Sequence, residues 1–252
     1  GSRTSCGARN NIDPAAVRLN DLWPSGEVSR ISYQLQNLCM RDSKEYPTPL
    51  EPGKKYKIRI KLDDIAWRVP KGHKLRVAIS TSYFPMMWPV PEPVTLTVYA
   101  GKSDLNLPLR KKVDAERHVT FEKPEAAKPV QQKEIIKASN SRVVSVDPKT
   151  GATKLAIIDD FGTQEITTSG LTIWGAGREN YSIKPDDPLS ATMETHWTEG
   201  RKRGRWEVRT ETYGKLKATK THWIVWGKIE AYEGKKRIFV KEFNEQIERR
   251  LQ

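Results

Sequence analysis

Long hydrophobic runs are missing from this chain of 252 residues. No window approaches eighteen unbroken apolar residues, so no segment is expected to span a membrane. The opening GSRTSCGARNN has no apolar h-region and does not read as a signal peptide. Cysteine is scarce: Cys6 and Cys39 are the full complement, and reduced thiols in a cytoplasmic protein are the expectation. No CxxC or Cys/His spacing suggests zinc. No D-x-D ladder suggests calcium, so neither a metal nor a cofactor is expected.

Catalytic signatures are missing too. The nearest approach to a G-x-S-x-G elbow, Gly101-Lys102-Ser103-Asp104-Leu105, fails at its last position. Gly175-Ala176-Gly177 lacks the third glycine and the helix of a dinucleotide loop. Four histidines occur. His73 reads as a turn residue, His118 has no evident partner, and His196 and His222 read as packed side chains in strands beside tryptophans. The pairs Asp63-Asp64, Asp159-Asp160 and Asp186-Asp187 read as turn formers, because adjacent strand residues face opposite ways. No catalytic residue is assigned.

What the chain has is period two. In KKYKIRIKL, Tyr56, Ile58, Ile60 and Leu62 point one way and Lys55, Lys57, Arg59 and Lys61 the other. In THWIVWGKIEA, Trp223, Val225, Ile229 and Ala231 share a face with Gly227 between them. Further strands are expected over 15–20, 28–37, 74–81, 94–99, 134–147, 152–159, 163–183, 191–198, 206–213, 215–220 and 236–243. Turns separate them, Asp147 to Gly151 being a good hairpin loop. The best helix candidate is the short tail Glu242 to Leu251. The fold class is therefore all-β, most simply a jelly-roll β-sandwich with few short helices. Residues 1–14 are expected to be poorly ordered and 15–252 to form one sandwich. The Pro/Lys-rich stretch 121–133 then reads as a crossover within that sandwich in preference to a linker between domains.

The net charge of +13 invites a polyanion reading, but the basic residues are spread out. The one dense cluster, Arg201, Lys202, Arg203 and Arg205 around Gly204, reads as a solvated hairpin tip. Most of the eight tryptophans fit a core stripe. TSYFPMMWPVPEP, residues 81–93, is apolar yet carries four prolines, which exclude a helix or a central strand.

VRLNDLWPSGEVSRISYQLQNL and the run from RDSKEYPTPLEPGKKYKIRIKLDDIAWRVPKGHKLRVAISTSYFPMMWPVPEPVTLTVY resemble the C-terminal domain of the CocE/NonD hydrolases, the cocaine-esterase-like and X-Pro dipeptidyl-peptidase-like serine hydrolases. Leu50-Glu51-Pro52-Gly53, the LDDIAWRVPKGH block, Trp88-Pro89 and Pro91-Glu92-Pro93 carry the likeness. YSIKPDDPLSA, WEVRTET and AYEGKKRIFVKEFNEQIERRL resemble the closing part of longer members. The resemblance implies a galactose-binding-like jelly roll that supports a separate α/β-hydrolase domain bearing a Ser-Asp-His triad, none of which maps here. It also implies one or more sandwich strands before Ala15. In their place GSRTSCGARNNIDP does not read as a strand, which suggests a cut fragment or truncated product with a bare sheet edge open to a second copy. The partner implied is the catalytic domain, with no specific nucleic acid and no membrane. Tyr83, Phe84, Met86, Met87 and Trp88 are the candidate docking face, the alternative being a loop folded on its own sandwich. A stand-alone carbohydrate- or ligand-binding module is the other function the fold allows.

Overall fold

The computed structural model describes residues 2–8, 14–110 and 119–251, the first of these segments by its backbone alone. His118 lies outside the described residues, as does the Cys6 side chain. Fourteen strands and two one-turn 3-10 helices make up the regular structure of the described residues, so the all-β class holds. The chain divides into two compact units, residues 1–110 with 249–252, and residues 111–248. The stretch 121–133, read from sequence as a crossover inside one sandwich, lies in the second unit and runs into its first strand at Gln132.

The first unit holds β1 (Ser2–Ala8), β2 (Pro14–Leu22), β3 (Val28–Asn37), β4 (Lys55–Ile60), β5 (Lys74–Ser80) and β6 (Leu96–Val98). They form two three-stranded antiparallel sheets, β4-β1-β6 and β3-β2-β5. The alternation in KYKIRI decides which side of β4 is dry: Ile58 and Ile60 are buried, while Lys55, Lys57 and Arg59 are exposed. Those isoleucines share one core with Ala15 and Val17 of β2, so apolar faces from both sheets meet as in a β-sandwich. Leu38, Cys39 and Leu50 complete it from the connection between β3 and β4. Asn37 anchors that connection: its Oδ1 accepts from Cys39 N at 2.9 Å and its Nδ2 donates to Leu251 O at 2.6 Å.

One sequence expectation is reversed in this unit. Residues 2–8, read as unstructured, form β1 in the middle of its sheet, hydrogen-bonded to β4 on one side and β6 on the other. GSRTSCGA carries no alternation, so the ladder is set by the two partners and not by local propensity.

The second unit is a single antiparallel sheet of eight strands: β7 (Gln132–Ile136), β8 (Ser139–Val146), β9 (Thr153–Ile166), β10 (Leu171–Lys184), β11 (Asp187–Arg203), β12 (Trp206–Ala218), β13 (His222–Glu233) and β14 (Lys236–Glu248). From β9 onward each strand pairs with the next in sequence. The Asp147–Gly151 hairpin loop forms as expected. Asp147 Oδ1 accepts from the amides of Lys149 and Thr150 at 2.7 and 3.2 Å, which holds its carboxyl below the usual range. Gly204, at φ +59°, turns β11 into β12 within the basic cluster.

Several boundaries move, and the expected strands 206–213 and 215–220 are one continuous strand, β12, running through Gly214. The expected strand 134–147 is two strands, β7 and β8, which pair with the two halves of β9. Gly162 lies at the changeover, where a Cβ would run into the backbone of Ile136 and Ala138. The expected strand 163–183 is interrupted by a turn at Thr167–Gly170, whose β-branched threonines look like continuing strand. The tail proposed as a helix is instead the end of β14, paired with β13 from Glu233↔Lys236 to His222↔Glu248.

Candidate functional site

Residues 81–93 leave β5 and fold back over their own unit. Met87 N donates to Tyr83 O at 2.9 Å, closing a tight loop around the cis Phe84–Pro85 peptide. Tyr83 is held by three side chains of the sheet. The Arg30 guanidinium donates to its hydroxyl at 2.5 Å, the Arg18 guanidinium lies 4.9 Å from its ring centre, and the Tyr33 ring lies 6.3 Å away. Arg18 also donates to Ser80 Oγ at 3.2 Å, at the foot of the loop. Arg18 follows the core residue Val17 on β2, so it projects from the outer face of the sheet, and the loop covers that face.

Phe84 and Trp88 make an edge-on ring pair with centres 5.4 Å apart. Pro89 and Val90 are buried, and Pro89 O accepts from the Arg249 guanidinium at 2.9 Å, where burial lowers the arginine pKa. Of the five candidate docking residues, Tyr83, Phe84, Met87 and Trp88 are half-buried. Met86 at the tip is 53% exposed. Arg18, Arg30 and Tyr33, which set the loop's conformation, carried no sequence signal. They become neighbours of Tyr83 only through the β2–β3 register.

At another place in the first unit the Asp21 carboxylate is fully buried, with Oδ1 2.9 Å from His73 Nδ1 and Oδ2 accepting from Trp67 Nε1 at 3.2 Å. Trp23 packs against the imidazole at 4.9 Å. His73 thus sits in a turn, as the Pro70–Gly72 signal implied, but its ring ties that turn to β2.

In the second unit His196 Nε2 lies 2.7 Å from Glu211 Oε2, which also accepts from Thr198 Oγ1 at 2.5 Å, and Arg209 pairs with Glu211 Oε1 at 2.9 Å. Tyr213 stacks on the imidazole at 4.4 Å, and burial followed by the carboxylates of Glu211 and Glu230 raises its pKa. Glu230, buried on the neighbouring strand, accepts from Arg237 at 2.7 Å, and that bond holds its carboxyl below the usual range. Sequence reading missed this network because residues fifteen apart meet only through strand register. The described histidines have hydrogen-bonding side chains beside them in Asp21, Glu211 and, for His222, Thr221 Oγ1.

The tryptophans depart from a core stripe. Trp23, Trp67 and Trp206 are exposed and the other five are half-buried. A single open sheet has no second layer to cover such rings, and in the second unit Trp174 and Trp197 lie against Gly200 and Gly177 of the neighbouring strand. A shallow cavity of about 380 Å³ is lined by Phe161, Ile173, Trp174, Glu199 and Arg201. Among the described residues no cluster of three or more His, Cys, Asp or Glu could hold a metal ion, and no helix is long and apolar enough to cross a membrane.

A family model for the X-Pro dipeptidyl-peptidase C-terminal non-catalytic domain matches residues 8–131. Residues 8–131 belong to that family. The matched residues take in the last residue of β1, β2 to β6 with the 81–93 loop, and the sequence up to β7. The sheet β7–β14 lies beyond the matched residues. No curated protein and no solved structure matches the chain.

Proposed function

We propose that this chain is the accessory β part of a serine hydrolase of the esterase or X-Pro dipeptidyl-peptidase class. It packs against an α/β-hydrolase domain that supplies the nucleophile. The observation that carries this reading is the match of residues 8–131 to a domain described as C-terminal and non-catalytic. The contact assigned to that partner is the loop Tyr83–Trp88. Tyr83 is clamped by Arg18 and Arg30 and the prolines stiffen the backbone, so little entropy remains to be lost on docking. Met86 is presented at the tip and Phe84 and Trp88 are half-open beside it. The cytoplasm is the compartment this reading assigns.

Two assays test it. The purified chain should give no turnover of p-nitrophenyl acetate or of an Xaa-Pro chromogenic dipeptide; turnover that is blocked by a fluorophosphonate probe would refute a non-catalytic role. The chain should also bind the α/β-hydrolase domain of an X-Pro dipeptidyl peptidase stripped of its own C-terminal domain, and M86S should weaken that binding. Equal binding by M86S and wild type would remove the loop from the interface.

One observation favours a second reading, a ligand-binding module. Trp23 and Trp67 are exposed on either side of the His73–Asp21 pair. Binding on a glycan array that is lost in W23A would support it, and silence on the array would count against it.

A further inference from the structure

β14 is the last strand of the second sheet. Among the described residues it is hydrogen-bonded to β13 alone, along one side, and every one of its thirteen residues is exposed. An edge of this length with apolar side chains is a template for another strand. Phe239, Lys241, Phe243, Glu245 and Ile247 alternate along it and so share one face. They stand opposite Ala231, Ile229, Gly227, Val225 and Trp223 of β13, which makes them the outer margin of the sheet's apolar face. Phe239, Phe243 and Ile247 are 49%, 44% and 52% exposed there.

We propose that β14 pairs antiparallel with β14 of a second copy of this chain, about a two-fold axis at Phe243, and joins two eight-stranded sheets into one. The partner is read from the sequence of the strand. A two-fold axis perpendicular to the sheet keeps like faces together, so residues of the same parity must oppose each other. With Phe243 at the axis, Phe239 faces Ile247 of the second copy and Lys241 faces Glu245, each pair occurring twice. On the other face Val240 meets Gln246 and Glu242 meets Asn244. On the apolar face apolar opposes apolar and opposite charges oppose each other; on the other face Ile238 falls opposite Glu248, and no like charges meet along the strand. Other centres fail. Placing the axis at Lys241, Glu242 or Glu245 sets a charge against itself. Placing it at Asn244 sets Phe243 against Glu245 and Lys241 against Ile247.

The apolar margin then continues across the junction. The net charge of +13 opposes association at low salt but is screened over about 8 Å near physiological ionic strength.

The test is the mass of the full chain in solution, by sedimentation equilibrium at roughly physiological salt. A monomer–dimer equilibrium is expected. K241E replaces two attractions with two repulsions per dimer and should weaken association about tenfold. E245K should act alike, and the double variant K241E/E245K should restore the dimer with the charges exchanged. Circular dichroism shows that each variant keeps its strand content. A chain that stays monomeric at the highest concentration reached, a dimer indifferent to K241E, or a folded double variant that does not reassociate would each overturn the pairing.

Discussion

The indole of Trp174 lies over Gly200, the residue directly opposite it across β10 and β11, and occupies the space a Cβ would need. Trp197 does the same to Gly177 between the same two strands. Each glycine gives up its own side-chain contacts and in exchange receives an aromatic ring, which shields the backbone where the single sheet has no second layer. G200A and G177A, each a one-carbon change, should therefore destabilise the second unit by about 1–3 kcal/mol through overpacking. G227A, within β13, where the added methyl group meets only ordinary contacts at 3.7 and 3.9 Å, lacks that clash. Urea midpoints of the three variants check the contrast.

The two units predict two transitions. Leu50 is buried in the core shared by both small sheets. L50A should cost the first unit about 2–5 kcal/mol. The transition of the second unit should stay where it is, since no residue of the Leu50 core cluster lies in 111–248. Calorimetry separates the two outcomes: a single transition that moves as a whole would show one cooperative body.

The buried Asp21 carboxylate accepts from the exposed Trp67 indole and pairs with the mostly covered His73 ring. D21A removes the partner of His73 and should cost about 1–3 kcal/mol, the loss at Trp67 being made up by water. D21N keeps an acceptor at that place and should lose less. The difference between the two variants in thermal unfolding measures the carboxylate's share.

Glu230 supplies a pH dependence. The Arg237 hydrogen bond keeps its carboxyl pKa below the ordinary 4.5. A carboxylate with a depressed folded pKa stabilises above the unfolded value, and that contribution disappears as pH falls through the folded value. Stability should thus fall from about pH 5 downward, and the fall should be shallower in E230Q. Denaturant midpoints of the two proteins across that range give the comparison.

Tyr181 gives the opposite sign. Burial and the hydrogen bond to Glu179 Oε2, 2.7 Å long, push its hydroxyl up to about 12. The neutral form is favoured by folding, so its contribution is whole below about pH 10 and vanishes as pH rises toward the folded value. In a titration of tyrosinate absorbance, the difference between wild type and Y181F should appear late, near 12 and not near 10.

Much of the fold was legible because it is written locally. KYKIRI states which face of β4 is wet, Asp147 to Gly151 states a hairpin, and Gly204 among arginines states a tip. The His73 turn was legible too, but the ring's partner was not, since Asp21 lies 52 residues away. The five loop residues were legible as an unusual apolar group. Their anchoring was not, because Arg18 and Arg30 come from strands that reach Tyr83 only after β2 and β3 have paired. The tail looked short and charged enough for a helix until the β13 ladder claimed its backbone.

By itself, then, the sequence determined the all-β class, the positions of most turns and the family of the first half, for each of these rests on alternation, turn chemistry or contiguous motif. Only the tertiary structure decided that residues 2–8 form a central strand, that the second half is one open sheet, and which polar side chains meet across it. Those outcomes depend on register between distant strands. Register is fixed by packing and backbone pairing summed over whole sheets, which no local stretch of residues encodes.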